Sequence, residues 1–210
     1  MEVIVLAAGR SSRMGEPKGL VAFQGRPWLL AQLDALALAG QRAVVVLGAD
    51  RARYLQLLPD LPARATLAYN DDPDRGPFSS LQCGLAARCP GSPVFVLPVD
   101  VPAAAPEVWA ALYQALQAPA REPGLGPDAA VPELEGRGGH PVLLAASAAQ
   151  RLAGRPSGSR LDAELALLRV ARVAVHDPRV RLNLNAPLDW GKLQGGATAY
   201  GADPGHRRRS

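Results

Sequence analysis

Leu6-Ala7-Ala8-Gly9-Arg10-Ser11-Ser12-Arg13-Met14-Gly15-Glu16-Pro17-Lys18 continues directly from Val3-Ile4-Val5-Leu6, so a short apolar run ends in a small-residue, basic loop. The run suits a strand covered on both faces in a parallel sheet. Ala7, Ala8 and Gly9 let the backbone come close to a ligand, and the amide N–H groups of such a concave turn attract phosphate oxygens. Arg13 offers a planar fork and Lys18 a compact point charge, so the pair can hold a polyphosphate from two sides. A solvated surface loop would account for the same composition. Two common phosphate motifs are excluded: five residues separate Gly9 from Gly15 and Glu16 follows, against the P-loop spacing, and no G-x-G-x-x-G is present.

Outward from this loop, strand and helix patterns alternate. Pro27 opens a helix carrying Leu29, Leu30, Leu33, Leu36 and Ala37, which Gly40 stops, and Ala43-Val44-Val45-Val46-Leu47 is a second buried strand. Asp50 reads as the cap of the next helix. Thr66–Tyr69 is a short strand ending in the breaker-rich loop Asn70–Pro77, and a helix follows with Phe78, Leu81 and Leu85 on one face and Ser79 and Ser80 in its first turn. Val94-Phe95-Val96-Leu97 is a third buried strand leading to Pro98-Val99-Asp100-Val101-Pro102, and Pro106 starts a helix through Leu116. The stretch 118–127 reads as a connection rather than a domain boundary. Ala129–Pro132 and Pro141–Leu144 form a strand pair around Glu135–His140, Leu161 to Leu168 marks a short helix, Val170–Val175 a strand and Pro187–Leu193 a last helix. The expectation is one α/β domain over 1–194, three-layer α/β/α and Rossmann-like with a mainly parallel sheet, followed by a flexible basic tail over 195–210.

At 210 residues and 20% charged, the composition is that of a soluble globular domain. Half of the net charge of +4 sits in the tail, and the rest lacks aromatic interleaving, which argues against a nucleic-acid partner. No membrane span or secretory signal is legible, and Cys83 and Cys89 have no metal-ligand spacing, so the expected compartment is the cytoplasm.

Three further groups can carry chemistry. Asp100, at the C-terminal end of a central strand, can reach Mg²⁺ or serve as a helix cap. Asn185, just before Pro187, can complete a metal shell or cap a helix. Arg137, Gly138, Gly139 and His140 can receive a phosphorylated substrate or form a surface turn. Asn70 in turn could hold a base or ribose, or make only an Asx turn.

The stretch Leu6–Lys18 resembles the signature loop of nucleotidyltransferases, most closely the molybdenum cofactor cytidylyl- and guanylyltransferase group with its MobA-like NTP transferase domain. The likeness runs through Leu97-Pro-Val-Asp-Val-Pro102 to about Leu193. It implies that Leu6, Ala7, Ala8, Gly9, Arg13 and Lys18 bind the triphosphate, and that Asn70, Gly76 and Ser80 line the nucleotide. It implies Asp100 and Asn185 as Mg²⁺ ligands, Arg137, Gly139 and His140 on the acceptor side, and Lys18, Arg13 and Asp100 as the catalytic set. Relatives usually follow the position of Asn185 with Thr-Pro, from which Ala186 departs. The implied reaction is transfer of NMP to a phosphorylated acceptor, molybdopterin or its metal-loaded form, with a molybdoenzyme as a possible partner. A sugar-1-phosphate acceptor and a non-catalytic nucleotide- or pterin-delivery role are the rivals. CTP is the favoured nucleotide and GTP the alternative: Leu-Ala-Ala-Gly, Ser79-Ser80 and Gly139-His140-Pro141 resemble the cytidylyl branch, while Asn183-Leu184-Asn185 is closer to the guanylyl one.

Overall fold

The computed structural model describes residues 1–9, 15–119 and 126–185. Arg13, the helix expected over 187–193 and the tail from 195 lie outside them.

In chain order the elements are β1 (Glu2–Ala7), the small hairpin β2 (Ala22–Phe23) and β3 (Arg26–Pro27), α1 (Trp28–Leu38), β4 (Arg42–Leu47), α2 (Arg51–Leu57) and α3 (Leu61–Arg64). They continue with β5 (Thr66–Tyr69), α4 (Pro77–Ala87), β6 (Val94–Pro98), α5 (Pro106–Gln117), β7 (Ala129–Leu134), β8 (Arg137–Gly138) and β9 (Val142–Leu144). The last are α6 (Ala146–Ala153), α7 (Leu161–Leu165) and β10 (Val170–Ala174).

The main sheet runs β10-β7-β9-β6-β1-β4-β5, with β8 paired to the end of β7. β9 runs against its neighbours, pairing antiparallel with both β6 and β7, and the short β8 pairs antiparallel with β7. β1 is parallel to β4 on one side and to β6 on the other. The chain therefore winds outward from β1 through β4 to β5, then returns across β1 to β6. That reversal leaves a crevice beyond the carboxyl ends of β1 and β6, the usual ligand position in open α/β sheets.

Alternation along the strands builds two cores, because successive side chains point to opposite faces. Val3, Val5, Val45, Leu47, Phe95 and Leu97 pack beneath α1 and α5, with Trp28, Leu33 and Trp109. Ile4, Val44, Val46, Val94 and Val96 pack beneath α4 and α6, with Phe78, Leu81 and Leu152. The architecture is thus the expected three-layer α/β/α. Gly84 lets α4 lie close to the sheet, since a Cβ there would stand 2.4 Å from a methyl of Ile4. No helix among the described residues is long and apolar enough to cross a membrane.

Two local expectations change. Asp50 precedes α2, but its side chain makes no capping bond; the backbone closes that turn, with the Arg51 N–H donating to the Gly48 carbonyl at 3.0 Å and the Tyr54 N–H to the Asp50 carbonyl at 3.1 Å. The helix α6 was not expected, because its Ala-rich sequence has few large apolar positions to set a period.

The turn after β6 is held from beneath by α1. The Trp28 indole donates to the Val99 carbonyl at 2.6 Å, the Gln32 amide donates to the Val101 carbonyl at 2.7 Å, and the Gln32 carbonyl accepts from the Ala103 N–H at 2.7 Å. Gln32 is fully buried. We expect Gln32→Leu to strand these backbone groups and cost about 2 kcal/mol or more, read as a fall in Tm on the order of 5 °C. An unchanged melt would refute the role. At the other end of the sheet, Asp128 binds the Arg169 N–H and guanidinium and the Arg151 guanidinium. Burial opposes its charge, but these donors outweigh burial and bring its pKa to about 2. Its contribution is therefore present above about pH 4 and lost as pH falls toward 2, an effect of about 2 kcal/mol. Denaturant melts between pH 5 and 2 should show that loss in the wild type and not in Asp128→Asn.

Candidate active site

A cleft of about 330 Å³ opens over the carboxyl ends of β1 and β6, lined by Leu6, Ala7, Ala8 and Gly9 from the first loop and Pro98, Val99 and Asp100 from the second. Lys18, Tyr54, Gly76 and Ser80 complete the walls. Eight of the nucleotide-side residues expected from sequence fall on described positions, and seven of them, Leu6, Ala7, Ala8, Gly9, Lys18, Gly76 and Ser80, line this one space.

The eighth, Asn70, stands behind the cleft. It is buried, donates to the Ser79 and Ser80 hydroxyls at 2.8 and 3.0 Å, and accepts from the Asp72 N–H at 3.0 Å. Its amide is used to fix the loop after β5 against the first turn of α4. The Ser79 hydroxyl in turn donates to the Gly76 carbonyl at 2.7 Å. Gly76 sits at φ +97°, a conformation glycine adopts without strain, and this turns the chain into α4. Asn70 thus shapes the wall that Gly76 and Ser80 present.

Lys18 begins a single 3-10 turn, Lys18–Leu20, that crosses above α2. The Gly19 N–H donates to the Tyr54 hydroxyl at 3.1 Å, and a Cβ on Gly19 would come within 2.6 Å of that oxygen. Burial pushes the Tyr54 phenol well above its usual range, so it stays protonated. Tyr54 is the site residue that sequence reading missed: one tyrosine on a short helix carries no pattern, and only the fold brings it beneath Lys18.

From this turn the Lys18 ammonium donates to Asp100 Oδ2 at 2.7 Å and to Asn185 Oδ1 at 2.6 Å. Lys18 and Asp100 are both about one-fifth exposed, at the cleft mouth. Asn185 is brought there because the Leu184 N–H donates to the Asp100 carbonyl at 2.8 Å while the Leu184 side chain is buried. Two hard oxygens, one ionised and one neutral, therefore converge on a single cationic nitrogen. Among the described residues there is no group of three His, Cys, Asp or Glu side chains able to hold a metal. A cation here would take most of its shell from ligand oxygens and water, the habit of magnesium rather than zinc.

The acceptor-side residues separate. His140 is half-buried and lines a neighbouring cleft rather than this one; burial pushes its imidazole below the usual range, and the charge of Asp100 opposes that only in part. Arg137 is exposed on β8, and neither it nor Gly139 lines the cleft. Gly139 has a packing reason to be glycine, since a Cβ would meet the Val180 carbonyl at 2.3 Å.

Comparison with known proteins gives the family. The family model described as MobA-like NTP transferase domain matches residues 3–173. A curated relative from Xanthomonas euvesicatoria, named molybdenum cofactor guanylyltransferase, is 33% identical over 197 residues, covering 90% of this chain and 92% of its own. Among solved structures, Rv0371c of Mycobacterium tuberculosis superposes with a TM-score of 0.74 at 24% identity, covering 91% of this chain and 95% of that one. A structure of the same Mycobacterium protein in complex with manganese superposes at 0.71 and 22% identity, covering 93% and 98%. These two show a shared fold. With the family model matching residues 3–173, from β1 into β10, and Leu6–Gly9 and Lys18 of the signature stretch lining the cleft, the chain belongs to the MobA-like NTP transferase family of nucleotidyltransferases.

Proposed function

We propose that this nucleotidyltransferase joins the NMP of a nucleoside triphosphate to the phosphate of a molybdopterin-type cofactor and releases pyrophosphate. The observation that carries the reading is the meeting of Lys18, Asp100 and Asn185 at the mouth of the cleft that Ala7, Ala8 and Gly9 open. An oxygen of the acceptor phosphate attacks the α-phosphorus in line, a new P–O–P linkage forms, and the bond to the oxygen bridging the α- and β-phosphates breaks. Pyrophosphate departs with that electron pair. The nucleophile is already an anion, so no strong base is required, and positioning with charge stabilisation supplies the rate.

The backbone of Ala7–Gly9, Lys18 and, on the sequence pattern, Arg13 hold the triphosphate and stabilise the leaving charge. Asp100 and Asn185 fit as protein ligands of Mg²⁺, because their oxygens are hard and already share one cation. When bound, magnesium supplies Lewis-acid stabilisation of the transferring phosphoryl group. Lys18 exchanges Asp100 and Asn185 for phosphate oxygens as substrate enters. The manganese complex of the Mycobacterium protein supports a divalent ion.

GTP is the first reading for the nucleotide, supported by the name of the relative that matches over nearly the whole chain. CTP is the second, supported by the resemblance of Leu6-Ala7-Ala8-Gly9 and Ser79-Ser80 to the cytidylyl branch.

Lys18→Ala and Asp100→Ala should each lower kcat/KM at least about tenfold, a loss of roughly 1.4 kcal/mol of transition-state stabilisation, followed by pyrophosphate release with molybdopterin as acceptor. Wild-type turnover in either variant would remove that residue from the machinery. For the nucleotide, kcat/KM measured with GTP, CTP and ATP should favour GTP by about tenfold or more, since one unpaired base-edge group costs about 1–3 kcal/mol. A tenfold preference for CTP would move the assignment to the second reading.

A further inference from the structure

A second cleft, of about 340 Å³, lies beside the first and shares Leu6, Pro77 and Pro98 with it. Its floor is apolar: Phe78 and Leu81 come from α4 and Val96 from β6, all buried in the core beneath that helix. His140 and Leu161 form its flanks. The rim is polar, where Arg160 donates twice to Asp162, at 3.0 and 2.9 Å, with both side chains in solvent.

The wall is a built one. The segment that carries Ser159 and Leu161 is clamped to α4 by the Gln82 amide, which donates to the Ala153 and Arg155 carbonyls at 3.1 and 2.7 Å. Arg75, in the turn that precedes the nucleotide-side Gly76, donates to the Ser157 hydroxyl at 3.0 Å. Arg155 also pairs with Glu164 at 2.9 Å, closing the segment onto α7. The same short stretch therefore bridges the loop that edges the nucleotide cleft and the far wall of the apolar one. The two clefts meet at Leu6, Pro77 and Pro98, and Pro98 lies two residues before Asp100, so the apolar cleft opens toward the point where the transferred phosphoryl group would sit.

An apolar floor with a few polar groups at the edge is the usual form of a small-molecule site, and this volume lies in the range such sites occupy. A triphosphate has no use for the apolar floor, and a sugar, hydroxylated all round, would leave its hydroxyls unpaired there. A flat ring system with apolar faces and hydrogen-bonding edges fits both parts. We propose that this second cleft holds the ring system of the acceptor, a flat, uncharged nitrogen heterocycle, with its faces against Phe78, Leu81 and Leu161 and its phosphate arm directed to Lys18 and Asp100. The assignment rests on the cofactor-type acceptor proposed above and adds where its ring is bound and by which residues.

The test fills the cleft from its outer wall. Leu161→Trp and, separately, Ser159→Trp should raise the KM for molybdopterin at least about tenfold and leave the KM for the nucleotide within about twofold, with melts reporting that each variant is folded. Binding of a simple pterin lacking phosphate, followed by quenching of its own fluorescence, should weaken in parallel. An unchanged acceptor KM in both folded variants, or equal losses for acceptor and nucleotide, would overturn the cleft assignment while leaving the reaction intact. If the wild type released pyrophosphate only with a sugar 1-phosphate, the cofactor reading would fail first, and the heterocycle assignment with it.

Discussion

The carbonyl groups of Val99 and Val101 face the protein interior, where an unpaired carbonyl would cost a large part of a domain's net stability. Trp28 and Gln32 answer them from α1, and the Gln32 carbonyl takes the Ala103 N–H in return. This arrangement leaves the turn after β6 with one conformation, and Asp100 is its outermost side chain. The Leu184 N–H bonds to the carbonyl of the same Asp100, so the distant segment bearing Asn185 is set by that turn as well. A buried polar network beneath the sheet edge therefore decides the spacing of two oxygens at the surface. The principle is general: a site is as well defined as the groups that hold its first ligands in place.

The topology explains why the opposing charge arrives from the other side. β1 and β6 are neighbours and parallel, so the loops after them rise side by side. The chain leaves β1, passes over α2 in the 3-10 turn, and drops into the β2–β3 hairpin, which places Lys18 above the cleft rather than along it. Tyr54 fixes the height of that turn through the Gly19 N–H, and glycine is needed there because the phenol occupies the space a side chain would take. Lys18 is thus rigid at its backbone and adjustable at its end. A lysine suits the task better than an arginine, since its four-carbon stem can swing a compact charge between carboxylate and phosphate without a fixed fork to align.

Much of this was legible in the sequence. Val3–Leu6, Ala43–Leu47 and Val94–Leu97 are continuous apolar runs, a pattern that strands covered on both faces produce, and the small-residue loop after the first of them announced the cleft. What could not be read has physical causes. Asn70 was expected as a possible ligand, and an Asn in a breaker-rich loop has the same spelling whether its amide faces a nucleotide or, as the hydrogen bonds place it, two serines of its own wall. Gly139 was expected to let a phosphate approach, but the chain crossing at Val180 accounts for it, a contact forty residues away that no local pattern encodes. Tyr54, Gln32 and Gln82 act through long-range bonds and have no periodic neighbours to mark them. The Ala-rich α6 escaped because alanine gives almost no contrast between a buried and an exposed face.

The reversed strand β9 ties these pieces into one division of labour. With β9 running against β6, its start lies beside the carboxyl end of β6, and His140 reaches the second cleft from the hairpin instead of from a helix crossover. The parallel side supplies Ala7–Gly9, Lys18 and Asp100 to the first cleft, which on the proposed reading serve polyphosphate. The reversed side supplies a half-buried imidazole, and α4 and α7 add apolar surface. Two kinds of solvent environment thus meet at Leu6, Pro77 and Pro98, the residues common to both clefts. None of the three side chains bears a charge, and two are prolines with no N–H of their own, so the seam between the clefts offers little to compete for a phosphate. On the proposed reading, a phosphate crossing that seam meets donors at Lys18 and at the backbone of Ala8 and Gly9, which is where bond formation needs it.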